Sequence, residues 1–329
     1  MRWYKMSQNQ LENAMEVLQD APIVGSSPEA KRLRRAVKKL SKIDSNILIV
    51  GETGVGKEFI SRHIHLGSGR KNRTFVKINC ATVGKTIDEK HLYGEETEGD
   101  QSVTRTVGLL EKAHKGVLFL DNLDQLDPEY QEEFLQVLRD KRFRRIGGKE
   151  NIELDIRVIS TAEDDMAPEV EKDNFRRDLF HLLNTLTLRI PSLRERKQDI
   201  PELFAYFLKK YCAESEREEP AVQAEIFESI LEYDWKGNVR ELENTVQNLV
   251  VMSPEGELSP EFLPFRIKKH QFDFLEPKNL KGIVSDVEVY LIKKALGKFG
   301  GNQVKAAKLL GIPEATLRFK MKKYDIPKD

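Results

Sequence analysis

The sequence predicts an α/β protein: a parallel sheet carrying a phosphate-binding loop, then a helical subdomain, then a small all-α helix-turn-helix domain. Three observations carry that reading. Short apolar runs at residues 47–50, 75–78, 117–120 and 156–159 alternate with amphipathic stretches, the pattern left by strands buried on both faces of a parallel sheet. A glycine-rich segment, Gly51-Glu52-Thr53-Gly54-Val55-Gly56-Lys57-Glu58, follows the first run and opens a helix at Phe59. From Leu291 to the end there are ten Lys/Arg against three Asp/Glu. A basic module is therefore hidden in a chain whose 54 basic and 54 acidic residues cancel.

Composition bounds the rest. The 329 residues fit two or three domains at ~150 residues each. Neutral net charge excludes a uniformly basic coat protein and an acidic tail protein. A hydrophobic content of 39% with 33% charged residues fits a globular protein with long solvated helices. No run approaches the ~18 apolar residues of a membrane helix, and the start, MRWYKMSQNQLENAM, lacks the apolar region of a signal peptide. The expectation is a cytoplasmic protein with no membrane partner. Cys80 and Cys212 make neither a disulfide framework nor a zinc site and read as reduced thiols. The six histidines show no metal-ligand spacing.

In chain order, residues 1–20 form a polar N-terminal extension, amphipathic around Leu11, Met15 and Leu18. Residues 21–192 hold the α/β nucleotide-binding domain. Its first helix, residues 28–42, is rich in Lys and Arg, which reads as a solvated helix face first and as a nucleic-acid patch only second. Residues 193–253 read as helices only, at 200–211, 221–233 and 238–251. Residues 254–285, with Pro254, Gly256, Pro260 and Pro264, read as a linker. Residues 286–329 form the helix-turn-helix domain.

The glycine loop has the spacing G-x-x-x-x-G-K, with Glu58 where Ser or Thr is usual. Glycines let backbone N–H groups turn inward on phosphates, the helix N-terminus adds partial positive charge, and Lys57 reaches the outer phosphates. Asp121 ends a four-residue apolar run, where a carboxylate beside such a loop holds magnesium; a structural Asp at a strand end is the alternative. In the tail, Val304, Ala306, Ala307, Leu309 and Leu310 recur at helical spacing. Gly311-Ile312-Pro313 is a tight turn, and a second helix runs over residues 314–324. Ala315, Leu317, Met321 and Tyr324 are expected to pack inward. Thr316, Arg318, Lys320, Lys322 and Lys323, with Asn302 and Lys305, are the DNA-facing candidates. Val289, Ile292, Ala295 and Leu296 form a stripe that suits either dimerisation or the module's own core.

These residues resemble one family, the AAA+ ATPase domain of bacterial sigma-54-dependent enhancer-binding regulators, which often ends in a Fis-type helix-turn-helix. The resemblance rests on Ile23-Val24-Gly25-Ser26-Ser27-Pro28, the loop from Gly51 to Glu58, Ile78-Asn79-Cys80-Ala81 and Leu118-Phe119-Leu120-Asp121. It continues through Arg145-Ile146-Gly147-Gly148, Phe175-Arg176-Arg177-Asp178-Leu179, Pro191-Ser192-Leu193-Arg194-Glu195-Arg196 and Trp235-Lys236-Gly237-Asn238-Val239-Arg240-Glu241-Leu242. Glu after the loop lysine is normal in that family. The resemblance implies an AAA+ sheet with a helical lid. ATP would be bound by Val24, Gly25, the loop residues Gly51, Glu52, Thr53, Gly54, Val55, Gly56, Lys57 and Glu58, and Arg240. It further implies Mg²⁺ on Asp121, and Arg176 as an arginine finger in a homo-oligomer, from dimer to hexameric ring. The partners it implies are double-stranded DNA at an upstream operator or enhancer, and RNA polymerase holoenzyme.

The departures from the family pattern are as informative. After Leu92-Tyr93-Gly94 the family has a GAFTGA loop that contacts the sigma factor; here the chain reads Glu95-Glu96-Thr97-Glu98-Gly99-Asp100-Gln101-Ser102-Val103. The family's Asp-Glu pair is Asp121-Asn122, and Asn cannot accept the proton of the attacking water. Losing a general base costs ~10²–10⁴ in rate. The family's γ-phosphate-sensing Asn aligns with Glu163, and a second arginine aligns with Leu182; losing a finger costs a further ~10³, although such losses need not add. The expected function is a DNA-binding regulator that binds ATP, hydrolyses it poorly and lacks the usual sigma-54 contact. Two alternatives stay open: an ATP-hydrolysing activator of sigma-54 polymerase, and an AAA+-like scaffold that binds no DNA.

Overall fold

The computed structural model describes residues 22–98, 103–163, 166–253, 256–267, 280–324 and 326; the extension at 1–20 lies outside them. The chain divides into two compact units, Met1–Leu263 and Pro264–Asp329. Among the described residues no helix is long and apolar enough to cross a membrane.

The first unit opens with α1 (Pro28–Leu40). Ser27 caps it, its Oγ accepting from the Ala30 N–H at 3.0 Å, and Pro28 takes the first helical position. The order then runs β1 (Ile47–Val50), α2 (Lys57–Leu66), β2 (Phe75–Asn79), α3 (Glu89–Tyr93), β3 (Gly94–Glu98), β4 (Val103–Val107), α4 (Leu109–Lys112), β5 (Val117–Asp121) and α5 (Pro128–Asp140). It continues through β6 (Arg142–Phe143), β7 (Ile152–Glu153), β8 (Arg157–Ala162), α6 (Ala167–Glu171), α7 (Arg177–Leu183) and β9 (Leu186–Arg189). The helical subdomain is α8 (Ile200–Glu214), α9 (Ala224–Glu232) and α10 (Asn238–Met252).

The main sheet has the order β2-β5-β8-β1-β9, and every pairing in it is parallel. Successive side chains alternate between its faces, and both faces are covered. Leu48, Ile78, Leu118, Leu120 and Val158 pack against Phe134, Leu135 and Leu138 of α5 and Leu179 and Leu183 of α7. Ile47, Ile49, Val117, Phe119 and Ile159 pack against Leu33 and Val37 of α1 and Ile60 and Ile64 of α2. The buried Arg157 of β8 ties α1 to the sheet: its Nη2 donates to the Leu40 carbonyl at 2.9 Å and its Nε to that of Ser45 at 3.1 Å. Register brings Asn79 opposite Asp121 and Val50 opposite Ala162. The carboxyl ends of β1, β2, β5 and β8 therefore open on one crevice, where α/β sheets bind ligands.

Three elements depart from the sequence reading. The edge strand β9 was not anticipated, because Leu186-Thr187-Leu188-Arg189 is a four-residue alternation with one covered face rather than a continuous apolar run. Ala221 and Val222 are not helical: they form β10 (Ala221–Val222), paired in parallel with β11 (Glu257–Leu258). In the second unit, α11 (Leu280–Lys298) begins within the stretch read as linker. It is followed by α12 (Gln303–Leu309) and α13 (Glu314–Lys323). Ile292, Ala295 and Leu296 pack on Ala306, Ala307, Leu317 and Met321, so the stripe on α11 serves this unit's own core.

Phe119 is fully buried in the interior strand β5 and stacks on Phe75 with ring centroids 5.3 Å apart. Phe119→Ala is expected to destabilise the chain by ~3–5 kcal/mol. Urea denaturation measures this, and a loss under ~1 kcal/mol would mean that the two helices on that face close over the gap.

Candidate functional site

The segment between β1 and α2 wraps back on itself. Gly54 and Gly56 have φ of +82° and +99°, a region costly for residues with a Cβ. At Gly54 there is also no room, since a Cβ would overlap the Gly237 carbonyl oxygen. Lys57 is buried at the start of α2, and its ammonium donates to the loop's own carbonyls, Gly51 at 2.6 Å and Glu52 at 3.3 Å. Burial lowers its pKa, partly offset by the charges of Glu163, Asp121 and Asp124. The first turn of α2 has no side-chain cap, which leaves its N–H groups to a ligand.

The loop is docked on the helical subdomain. The Glu52 carboxylate is paired with Arg194, whose Nη1 donates to Oε2 at 2.7 Å, and it accepts from Asn238 Nδ2 at 3.1 Å. These bonds hold the carboxyl below its ordinary pKa, Arg194 more than Asn238. Asn238 Nδ2 also donates to the Thr53 carbonyl at 3.0 Å, while its Oδ1 accepts from the buried Leu193 N–H at 2.8 Å. The Arg240 N–H donates to the Gly54 carbonyl at 3.1 Å. Glu52 thus faces the lid, and the Thr53 hydroxyl donates to Glu163. Arg240 is exposed, with no ion-pair partner among the described residues, and its charge is felt at Lys57. Gly25 lies against Asp199, which accepts from the Ser27 N–H at 2.8 Å and hydroxyl at 2.7 Å. Arg34 donates to the Ile23 carbonyl at 2.8 Å and to that of Gly25 at 2.6 Å, holding Val24 between them.

At the end of β5, Asp121 Oδ1 accepts from the Thr161 hydroxyl at 2.7 Å, and Oδ2 pairs with Lys77 Nζ at 3.0 Å. Lys77 also reaches Glu58 Oε2 at 2.6 Å, and Arg62 Nη2 donates to Glu58 Oε1 at 2.8 Å. Burial works against the Lys77 charge, but Glu58 and Asp121 outweigh it and raise its pKa. The Glu58 carboxyl is likewise lowered against burial by Lys77 and Arg62. Asn122 has φ +56°, a left-handed conformation that Asn adopts more readily than most residues. Its Nδ2 donates to Asn79 Oδ1 at 3.2 Å, and its N–H to the Thr161 hydroxyl at 3.1 Å.

Arg176 immediately precedes α7 and is paired within its own chain, with Glu132 at 2.5 Å and Asp178 at 2.9 Å. Strands β3 and β4 form an antiparallel hairpin in which Glu98 pairs with Val103; Gly99, Asp100, Gln101 and Ser102 lie outside the described residues. The hairpin is braced by Glu96, which pairs with Arg105 at 3.0 Å and Arg145 at 3.3 Å, and Val103 is exposed.

In the second unit the turn between α12 and α13 carries Gly311 at φ +66°. Leu317 and Met321 are buried as expected, whereas Ala315 is exposed. The Lys320 ammonium is held by Glu288 of α11 at 2.7 Å, and the Tyr324 hydroxyl donates to the same carboxylate at 2.7 Å. Asn302 caps α12, accepting from the Lys305 N–H at 3.1 Å. Arg318, Lys305, Lys322 and Lys323 are exposed and Thr316 partly so. Arg318 pairs with Glu314 at 2.5 Å.

A parallel sheet bearing a glycine-rich loop, a helical subdomain pinned to it, and a separate helix-turn-helix unit are the architecture of an AAA+ regulator. Residues 23–189 match the sigma-54 interaction domain, 194–278 the AAA+ ATPase lid domain and 283–324 the Fis family of bacterial regulatory proteins. The chain belongs to the family of sigma-54-dependent transcriptional regulators. It is 36% identical over 308 residues to a signal-transduction and transcriptional-control protein of Clostridium beijerinckii, covering 92% of this chain and 48% of that one. It is 33% identical over 303 residues to the transcriptional regulatory protein ZraR of Escherichia coli K12, covering 91% of this chain and 68% of ZraR. The chain thus spans about half of the first relative and about two thirds of the second. The crystal structure of NtrX from Brucella abortus in complex with ADP aligns with a TM-score of 0.70 and 30% identity, covering 95% of this chain and 72% of that one.

Asn238 is buried at φ +53°. Asn238→Ala strands the Leu193 N–H and keeps a strained backbone, so the expected loss is ~2–4 kcal/mol. Arg194→Ala removes a half-exposed pair and is expected to cost under ~1 kcal/mol. Chemical denaturation of both variants ranks them, and the reverse order would place the lid contact on the ion pair instead.

Proposed function

We propose that this chain is a DNA-binding transcriptional regulator whose AAA+ domain binds ATP and hydrolyses it slowly. Asn122 carries the proposal. The hydrolytic step needs a group that takes a proton from water; a carboxamide donating to Asn79 at 3.2 Å offers no such base. The retained binding parts support the other half. They are the glycine loop, Lys57 with its ammonium on loop carbonyls that phosphate oxygens would replace, the uncapped turn of α2, and the exposed Arg240. NtrX, 30% identical, is known in complex with ADP and with ATP. Bound nucleotide would then act as a ligand that favours one assembly state by mass action, with Arg176 released from Glu132 and Asp178 to serve a neighbouring subunit. The acidic sequence of residues 95–102 replaces the usual sigma-54 contact, so remodelling of sigma-54 polymerase through that loop is not part of the proposal. DNA binding is assigned to the second unit, with Thr316, Arg318, Lys322, Lys323 and Lys305 toward the duplex.

Steady-state hydrolysis at high protein concentration, with Mg²⁺ present, tests the first part. Wild type is expected at the background of Lys57→Ala, and Asn122→Glu is expected to raise the rate by ~10²-fold or more. Brisk wild-type turnover abolished by Lys57→Ala would make the chain a motor and overturn the proposal.

A salt titration of duplex-DNA binding tests the second part. Affinity is expected to fall steeply with salt, and Lys322→Ala to reduce the log–log slope by ~1. A salt-independent affinity would point to a protein partner instead.

A further inference from the structure

The family implies a magnesium ion at the end of β5, and the side chains present there do not fit one. Magnesium takes hard oxygen ligands in near-octahedral geometry at ~2.0–2.1 Å, usually one or two carboxylates together with phosphate oxygens. Glu163 and Asp124 lie within electrostatic reach of Lys57, and the two carboxylates that face Lys77 are Asp121 and Glu58, the latter in the position where phosphate loops more often supply a hydroxyl. All four of their oxygens already have a protein donor. Asp121 Oδ1 accepts from Thr161 at 2.7 Å and Glu58 Oε1 from Arg62 at 2.8 Å. The remaining two face one ammonium, Lys77 Nζ, at 3.0 and 2.6 Å.

The position of Lys77 is built in by the sheet. It lies two residues before Asn79 on β2, and Asn79 is in register with Asp121, so Lys77 and Asn79 share the face on which Asp121 ends. These two carboxylates are matched locally by two cations, Lys77 and Arg62. Asn122 removes the further negative charge that the family pattern has at this point. A divalent ion entering here would meet an ammonium already bonded to both of its ligands.

We infer that the Lys77 ammonium takes the place of the magnesium ion, so that this chain binds nucleoside triphosphate without a divalent cation. Lys77 neutralises Asp121 and Glu58 and presents a hydrogen-bond donor toward the phosphates that Lys57 and the loop amides hold. The inference rests on the nucleotide-binding reading of the glycine loop, and goes beyond it in assigning the counter-charge.

Calorimetric titration of the full chain with ATP, once with Mg²⁺ and once with excess EDTA, tests it. Wild type is expected to bind equally in both, as is Lys77→Arg, which keeps a cation. Lys77→Ala is expected to bind about tenfold or more weakly in EDTA and to recover with Mg²⁺. A wild type that weakens about tenfold in EDTA overturns the inference and leaves the nucleotide-binding reading standing. A wild type that binds ATP in neither buffer overturns that reading and the inference together. If Lys77→Ala fails to fold, wild type and Lys77→Arg decide the matter between them.

Discussion

The side chain of Asn238 is the point at which two parts of the first unit become one. A single buried carboxamide bonds to the glycine loop on one side and to the backbone of Leu193 on the other, and it does so from a left-handed backbone that only a few residue types adopt cheaply. The lid therefore does not merely lie over the phosphate loop. The Gly54 carbonyl, the Glu52 carboxylate and the Thr53 carbonyl all take donors from α10 or its approach. The glycine at position 54 is demanded as much by this close approach as by any ligand. A change of loop conformation on binding phosphate must move the lid, because the same atoms hold both.

The chemistry of the crevice is uneven, and the unevenness has one direction. On the reading proposed above, the groups that would neutralise or cradle negative charge are present: the glycine loop, Lys57 and Lys77. The group that would activate water is, on the same proposal, missing: Asn122 donates to Asn79 where a base would accept. Each replacement is self-consistent in hydrogen bonding, with Asn122 meeting Asn79 and Thr53 meeting Glu163. The crevice is thus a finished polar network rather than a damaged one. A satisfied network of this kind fixes its geometry.

Much of this was legible in the sequence, and the reason is locality. Strands β1, β2, β5 and β8 announce themselves as apolar runs, the phosphate loop by its glycines, and the turn before α13 by Gly311 and Pro313. Asn122 stands out because it interrupts a local pattern. What could not be read are pairings made across the fold. Lys77 meets Asp121 only because β2 lies beside β5 in a given register. Arg194 meets Glu52 across more than a hundred residues, and Asn238 appears in the sequence as one residue of a motif with no assigned contact. The Lys320–Glu288 pair is hidden for the same reason: helical spacing places Lys320 near the outer face of α13, and nothing in that spacing reveals Glu288.

The Lys320–Glu288 tie also has an evolutionary side. It makes the charge displayed by α13 a property of two helices. A substitution at position 288 would return a cation to the surface of α13 without altering a residue of that helix, its turn or its buried positions. The strength of the module's attraction to a polyanion is in this way separable from the residues that would read a sequence. The first can drift through α11, while the second stays fixed in α13.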